Sequence, residues 1–159
     1  MKKTMGWVFG ALALAAVIVA AQPSAVFRAR PVGNLKQVMR SIAFPSSNII
    51  FDVQKKAPST ADEWATVQNA AIAIAETANL ITMPGRLRED GKPVPVQKAD
   101  WNKYARGLIT AGQDCYKAAA AKDQEGVTKC TDGLSEACSN CHEVYRDAPQ
   151  PAPAKQGKN

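Results

Sequence analysis

The amino-acid sequence predicts an all-α protein built as an up-down bundle of four helices. Apolar residues recur at steps of three and four through most of the chain, which is the period of a helix with one buried face. Almost no segment alternates apolar and polar residues as a half-buried strand does. Short connections and one longer one separate the helical segments, and this connectivity is typical of an up-down bundle.

The first helix is predicted to begin within residues 32–35, after an irregular lead-in over residues 22–31. Pro45 is expected to kink or break this helix, because proline lacks an amide donor and its ring clashes with the preceding turn. The second half should follow over residues 48–54, and Pro58 closes it. The apolar face of the first half comprises Leu35, Val38, Met39 and Ile42.

The second helix begins with the sequence pattern of a capping box, in which Thr60 is the N-cap and Glu63 follows three residues later. Met83 and the following Pro84-Gly85 pair are expected to end it. The prolines and glycines of residues 84–97 predict a loop across one end of the bundle. The apolar stripe of this helix comprises Trp64, Val67, Ala71, Ile74, Ala78 and Ile81.

The third helix is predicted over residues 98–121 and the fourth over residues 125–146, with a short turn at residues 122–124. Together the four helices form a domain over residues 32–147, and the Pro/Ala/Lys-rich residues 148–159 are predicted to be a disordered tail. The inward residues are Trp101, Ala105, Leu108, Gly112, Cys115 and Ala119 on the third helix, and Val127, Cys130, Leu134, Cys138, Cys141 and Tyr145 on the fourth.

Residues 1–21 have the pattern of a secretory signal peptide. Lys2 and Lys3 precede an uncharged apolar run that ends in small residues, and cleavage before Gln22 is expected. An uncleaved membrane anchor is the alternative, because the run is near the shortest length that spans a bilayer. In a bacterial cell, export places the domain in the periplasm, a compartment that permits disulfides.

The charge of the chain does not indicate nucleic-acid binding. The formal net charge is +6, and removal of residues 1–21 takes away two lysines and no acidic residue, which leaves +4. No block of five lysines or arginines is present, nor an aromatic-rich basic patch. Membrane attachment is expected only if the N-terminal segment stays uncleaved.

Residues 138–142 read Cys-Ser-Asn-Cys-His, and His142 is the only histidine of the chain. Cys-x-x-Cys-His is the attachment pattern of a c-type haem. Thiols three positions apart lie on one turn of a helix, where Cys138 and Cys141 can each form a thioether to a haem vinyl group. The adjacent His142 can then be the proximal iron ligand.

Two other interpretations of the cysteines are weaker. A thioredoxin-like redox pair expects a βαβ context, which this sequence lacks. A zinc site would need a second pair with matching spacing. The aromatic content of 6% also leaves a thin core for four helices, and one buried haem would supply apolar volume.

A haem-attachment motif on the last of four helices resembles the class II c-type cytochromes, the cytochrome c′ family with its low-spin methionine-ligated relatives. Class I cytochromes c carry the motif near the N-terminus instead. The resemblance covers about residues 33–147 and continues past the motif into residues 143–146, where Tyr145 and Arg146 match an aromatic and a basic residue. It implies one covalently bound haem c, redox partner proteins, and a homodimer formed by the first two helices.

The same resemblance makes the residue on the distal side of the iron decisive for function. Low-spin members have a methionine ligand on the first helix and carry electrons, and Met39 lies at about that place. Five-coordinate members have an apolar residue there and bind nitric oxide or carbon monoxide. Met39 as a core residue is the alternative to Met39 as a ligand, and the proline at position 45 could move it off the iron axis.

Two arginines are candidates for pairing with the haem propionates, because a partly buried carboxylate needs a cation. These are Arg40 on the first helix and Arg146 at the end of the fourth. The alternative for each is a solvated surface arginine.

Cys115 and Cys130 are predicted to form a disulfide that joins the third and fourth helices. They are equidistant from the turn between these helices, and residues equidistant from the turn of an antiparallel hairpin lie opposite each other. The alternative is a pair of buried free thiols.

Three functions follow from these observations, and none of them requires an enzyme. The first is a one-electron carrier, and the second is a five-coordinate haem protein that binds nitric oxide or carbon monoxide. The third contains no haem: a helical stress or partner-binding protein in which the four cysteines form two disulfides.

Overall fold

The computed structural model describes residues 27–146. The predicted signal peptide over residues 1–21, part of the lead-in, and the predicted tail over residues 148–159 lie outside the described residues. Within residues 27–146, none of the helices combines the length and the apolar character that a membrane span requires.

The first helix, α1, runs without interruption from Leu35 to Asp52. It consists of an α-helical stretch Leu35–Val38, a π-helical turn Met39–Ala43 and a second α-helical stretch Phe44–Asp52. Of the kink or break predicted at Pro45, the break does not occur: the helix is locally distorted beside the proline and continues. The amide of Phe44 donates to the carbonyl of Met39, five residues back, so the helix widens just before the proline ring. The widened turn lets the helix continue through Pro45 instead of ending.

Both of the first two helices begin with a capping box. At the start of α1, Asn34 accepts a hydrogen bond from the Gln37 amide at 2.9 Å, and the Gln37 side chain accepts one from the Asn34 amide. The second helix, α2, spans Ala61–Ile81 and has the capping box of Thr60 and Glu63 that the sequence predicted. Every residue of its predicted apolar stripe is buried.

The third helix, α3, spans Ala99–Ala120, and the fourth, α4, spans Gln124–Tyr145. The turn between them contains Lys122 in the left-handed region with φ 55°. Asp123 then caps α4 by accepting a hydrogen bond from the Gly126 amide at 2.9 Å. The short turn makes α3 and α4 antiparallel neighbours.

The described chain is all-helical and contains no strand, although one isolated bridge pairs Leu87 with Pro93 in the loop before α3. α2 packs along α3, and α3 packs along α4. At the first of these contacts Gly112 of α3 lies against the α2 backbone at Ala71 and Ala75, where an added Cβ would approach within 2.9 Å of the backbone. The contacts of α1 are with α2 and, from its second half, with the first half of α4.

The loop between α2 and α3 closes one end of the bundle through Arg86, which is 3% exposed. Its guanidinium donates to the carbonyl of Leu80 at the end of α2 and to that of Gly33 before α1. The Leu35 amide also donates to the Leu87 carbonyl at 2.8 Å. The start of α1 and the end of α2 therefore meet at this end of the molecule, which we call the loop end.

Candidate cofactor-attachment site

The two cysteines of the Cys-x-x-Cys-His motif lie on the last two turns of α4, near the loop end. Cys138 and Cys141 are free thiols, and both are partly buried against the hydrophobic core. Their separation of three positions puts them on neighbouring points of one helix face. Two thiols on one face can be bonded by one rigid ligand.

Burial favours the protonated form of both thiols. It raises the pKa of Cys138. The pKa of Cys141 is raised to about 11, first by burial, then by the repulsion that a Cys138 thiolate would exert, and then by the negative charge of Asp100. A redox-active Cys-x-x-Cys pair normally has a lowered thiol pKa, so this environment disfavours the thioredoxin-like interpretation.

His142 follows the second thiol and lies on the exposed side of α4. Partial desolvation, and then the positive charge of Arg146, lower the pKa of the imidazole from its usual value. Within residues 27–146 its ring makes no hydrogen bond or ion pair. A neutral imidazole has one ring nitrogen with a free lone pair, and this is the form that ligates a metal.

A cluster of aromatic rings from α3 and α4 lies at the C-terminal end of the motif. The rings of Trp101 and Tyr145 meet edge to face with centroids 4.9 Å apart, and Tyr104 packs on Tyr145 at 6.2 Å. The Tyr145 hydroxyl donates to the Asp100 carboxylate at 2.7 Å. This bond joins the start of α3 to the end of α4, one turn beyond Cys141.

Met39 lies in the π-helical turn of α1 and is partly buried against the core. At the other end of α1, Gln54 donates to the Thr131 hydroxyl, and the Gln124 side chain donates to the Val53 carbonyl at 3.1 Å. α1 and α4 run antiparallel and rise equally per residue. Counting back along the chain from Val53 and Gln54 to Met39, and forward by the same number of residues on α4 from Gln124 and Thr131, reaches residues 138–146. Met39 therefore lies at about the level of the motif.

The close contacts of the Met39 turn, however, are with α2. The contacts between α1 and α4 concentrate in the Phe44–Asp52 stretch. The structure thus brings Met39 to the same level as the thiols without packing its helix turn closely against theirs.

The two candidate arginines are both exposed. Arg40 follows Met39 in the π-helical turn, and Arg146 immediately follows α4, where its amide donates to the His142 carbonyl at 3.1 Å. Neither forms an ion pair with a carboxylate in the described part of the chain. Both guanidinium groups remain available to an anionic group at this end of the bundle.

Cys115 and Cys130 are joined by a disulfide, the pairing that their distances from the turn predicted. Cys115 is fully buried, and Cys130 is partly buried. Their sulfur atoms are bonded to each other and so are not metal ligands. Among residues 27–146 no group of three or more His, Cys, Asp or Glu side chains is arranged to hold a metal ion.

A groove of about 330 Å³ runs between α3 and α4 beside the motif. Asn140 and Val144 line it on one side, and Tyr104 and Gly107 on the other. Neither thiol lines this groove. Both thiols instead pack against the hydrophobic core.

Sequence reasoning missed two features of the site. It did not identify Asp100 as the partner of Tyr145, and it did not single out Trp101 for more than its place on the inward stripe. The signal available in advance was the inward position of both aromatic residues on adjacent helices. Their contact depends on the register of α3 against α4, as does the hydrogen bond between Tyr145 and Asp100, which are 45 positions apart.

Comparisons with protein-family models, with curated proteins and with solved structures find no match to this chain.

Proposed function

We propose that this protein is a periplasmic mono-haem c-type cytochrome that carries single electrons between redox partner proteins. The observation that carries the proposal is the division of the four cysteines. Cys115 and Cys130 are paired in a disulfide, whereas the two free thiols are those of the Cys-x-x-Cys-His motif. A chain that used its cysteines only as structural staples would have no reason to leave this pair unbonded.

The residues around the motif suit one covalently bound haem. Cys138 and Cys141 would hold it through thioethers, and His142 would ligate its iron as a neutral imidazole. When bound, the haem iron supplies reversible one-electron chemistry. The chain would contribute attachment, proximal ligation and a core side that limits the access of water, and it would act as a carrier rather than as an enzyme.

Met39 lies at about the same height along the bundle as the motif, and this supports its role as the sixth iron ligand. A thioether ligand would favour iron(II) and raise the reduction potential, as expected of an electron carrier. Arg40 and Arg146 would neutralise propionates, because both guanidinium groups lie without a carboxylate partner in the described residues at that end. The net positive charge of the chain favours encounter with acidic partner proteins through electrostatic steering.

A second candidate function is supported by the packing of α1. The Met39 turn contacts α2 rather than the motif, and a methionine that fills the core would leave the iron five-coordinate. Such a protein would bind nitric oxide or carbon monoxide at the open position. The two candidates share the covalent haem and differ only at the distal ligand.

The first test is haem staining after denaturing electrophoresis of the full chain produced in a periplasm with haem-attachment machinery. The wild type and C115A/C130A should both retain covalent haem, whereas C138A/C141A should lose it. The paired double variants remove the same number of cysteines, so the comparison isolates the motif. A colourless wild-type band would refute the cytochrome and leave the haem-free, partner-binding helical protein.

A further inference from the structure

Trp101 has a buried hydrogen-bond donor without an acceptor. The residue is 2% exposed, and its indole Nε1 has no partner among residues 27–146. Buried polar groups in folded proteins are almost always hydrogen-bonded, because an unmade bond costs the full desolvation of the group. The indole N–H only donates, so the missing partner must be an acceptor.

The position of Trp101 connects this donor with the attachment motif. It lies in the first turn of α3, with its ring against that of Tyr145 at 4.9 Å. Tyr145 is four residues beyond Cys141, on the same face of α4. The indole therefore lies beside the segment of α4 that bears the thiols.

The nearest carboxylate in the sequence does not satisfy the indole. Asp100 accepts from the Tyr145 hydroxyl at 2.7 Å through one oxygen and from the Trp101 backbone amide at 2.9 Å through the other. An acceptor from outside the described chain would satisfy the indole. The polar groups at the edge of a haem are its two propionate carboxylates, which are acceptors when ionised.

We propose that Trp101 is a haem-binding residue whose indole N–H donates a hydrogen bond to a haem propionate. The inference rests on the proposed function, because it requires the covalent haem. A donor to the ionised carboxylate stabilises that form and lowers the pKa of the propionate. Trp101 would thus hold one propionate ionised at the pH of the periplasm, and the charge of the propionate would act on the iron.

The test is the pH dependence of the midpoint potential of the holoprotein, compared between the wild type and W101F. Loss of the donor should raise, by about one unit, the pH at which the midpoint potential begins to change. W64F is the matched control, because Trp64 is also buried but lies in the first turn of α2, at the opposite end of the bundle. A haem-loaded W101F with an unchanged profile would overturn the role of Trp101 alone, whereas a haem-free wild type would overturn the proposed function as well.

A measurement on the wild type keeps the inference testable if W101F does not fold. In protein labelled with ¹⁵N-tryptophan and held in a diamagnetic ferrous form, with carbon monoxide added if the iron is five-coordinate, the Trp101 indole proton should show a nuclear Overhauser effect to the methylene protons of a propionate. An indole proton that contacts only water would overturn the assignment.

Discussion

Cys115 of α3 and Cys130 of α4 are joined by a disulfide that encloses the turn between the two helices, with their Cα atoms 5.2 Å apart. The bond spans 15 positions of sequence. It lies toward the end of the bundle at which α3 and α4 are joined, whereas the free thiols of the motif lie toward the loop end of α4. One helix therefore contains a structural cysteine and a pair that is free for attachment.

The disulfide should be visible by alkylation in denaturant followed by peptide mapping. Without reductant, Cys115 and Cys130 should stay unlabelled, and after reduction both should be labelled. Labelling of either before reduction would contradict the bond. Cys138 and Cys141 should resist labelling in both samples of the holoprotein, because thioethers are not reduced.

Loss of this disulfide should lower the free energy of unfolding by about 3 kcal/mol, since closure of a loop of this length restricts the unfolded chain by that amount. Urea unfolding of C115A/C130A measures the loss. The control is the wild type in reductant, whose stability should fall close to that of the variant. An unchanged wild type in reductant would contradict the expected contribution.

Gly112 should tolerate no larger side chain, because an alanine Cβ would lie 2.8 Å from the amide nitrogen of Ala75 and 2.9 Å from the carbonyl oxygen of Ala71. These atoms belong to the backbone of α2 and cannot move independently, so G112A should cost about 1–3 kcal/mol through overpacking. Gly133 of α4 has open space at its Cβ position. G133A should instead stabilise by about 0.5–1 kcal/mol through helix propensity, and thermal unfolding of both variants distinguishes the two glycines.

Local spacing explains which parts of the fold the sequence predicted. The stripe from Trp64 to Ile81, the capping box of Thr60, and the pairing of Cys115 with Cys130 each depend on residues a few turns apart or on one short connection. Helical period and turn symmetry are enough to predict such features.

Features that depend on packing were not predicted. The π-helical turn arises from the way α1 accommodates Pro45 while it packs against α2. Thr131 is buried, and its hydroxyl accepts a hydrogen bond from Gln54 across 77 positions of sequence. The contact between Asp100 and Tyr145 likewise needs the register of α3 against α4. The capping box at Asn34 was local and could have been predicted, since an asparagine followed three residues later by a glutamine suits an N-cap.

The Tyr145 hydroxyl should ionise only at high pH. Partial burial, followed by the hydrogen bond to Asp100, raises its pKa to about 12. The neutral hydroxyl therefore contributes stability that is complete below the ordinary pKa of about 10 and is lost as the pH rises through about 12. In an ultraviolet titration, Y145F should lack the phenolate step near pH 12, and D100N should shift that step to lower pH. A D100N titration identical to that of the wild type would contradict the bond.

The capping box of α2 should weaken in acid. Hydrogen bonds from the Ser59 amide and hydroxyl, and then from the Thr60 amide, lower the pKa of Glu63 to about 2. A carboxylate with a lowered folded-state pKa stabilises the fold above its ordinary pKa and loses that effect as the pH falls through the folded value. E63Q should therefore melt below the wild type at pH 7, and the difference should shrink between about pH 4.5 and pH 2. A difference independent of pH would contradict the role of the charge.

Met39 decides between the two haem functions, and its substitution should change the visible spectrum. If its thioether binds the iron, the wild type should be low-spin and unaffected by carbon monoxide, while M39A should become high-spin and bind the gas. The matched control is M83A, because Met83 is the other partly buried methionine among residues 27–146 and its sulfur lies 4.0 Å from the Arg86 guanidinium. M83A should keep the wild-type spectrum. A wild type that is already high-spin and shifts with carbon monoxide would show that Met39 is a core residue, since its turn packs on α2, and would make gas binding the function.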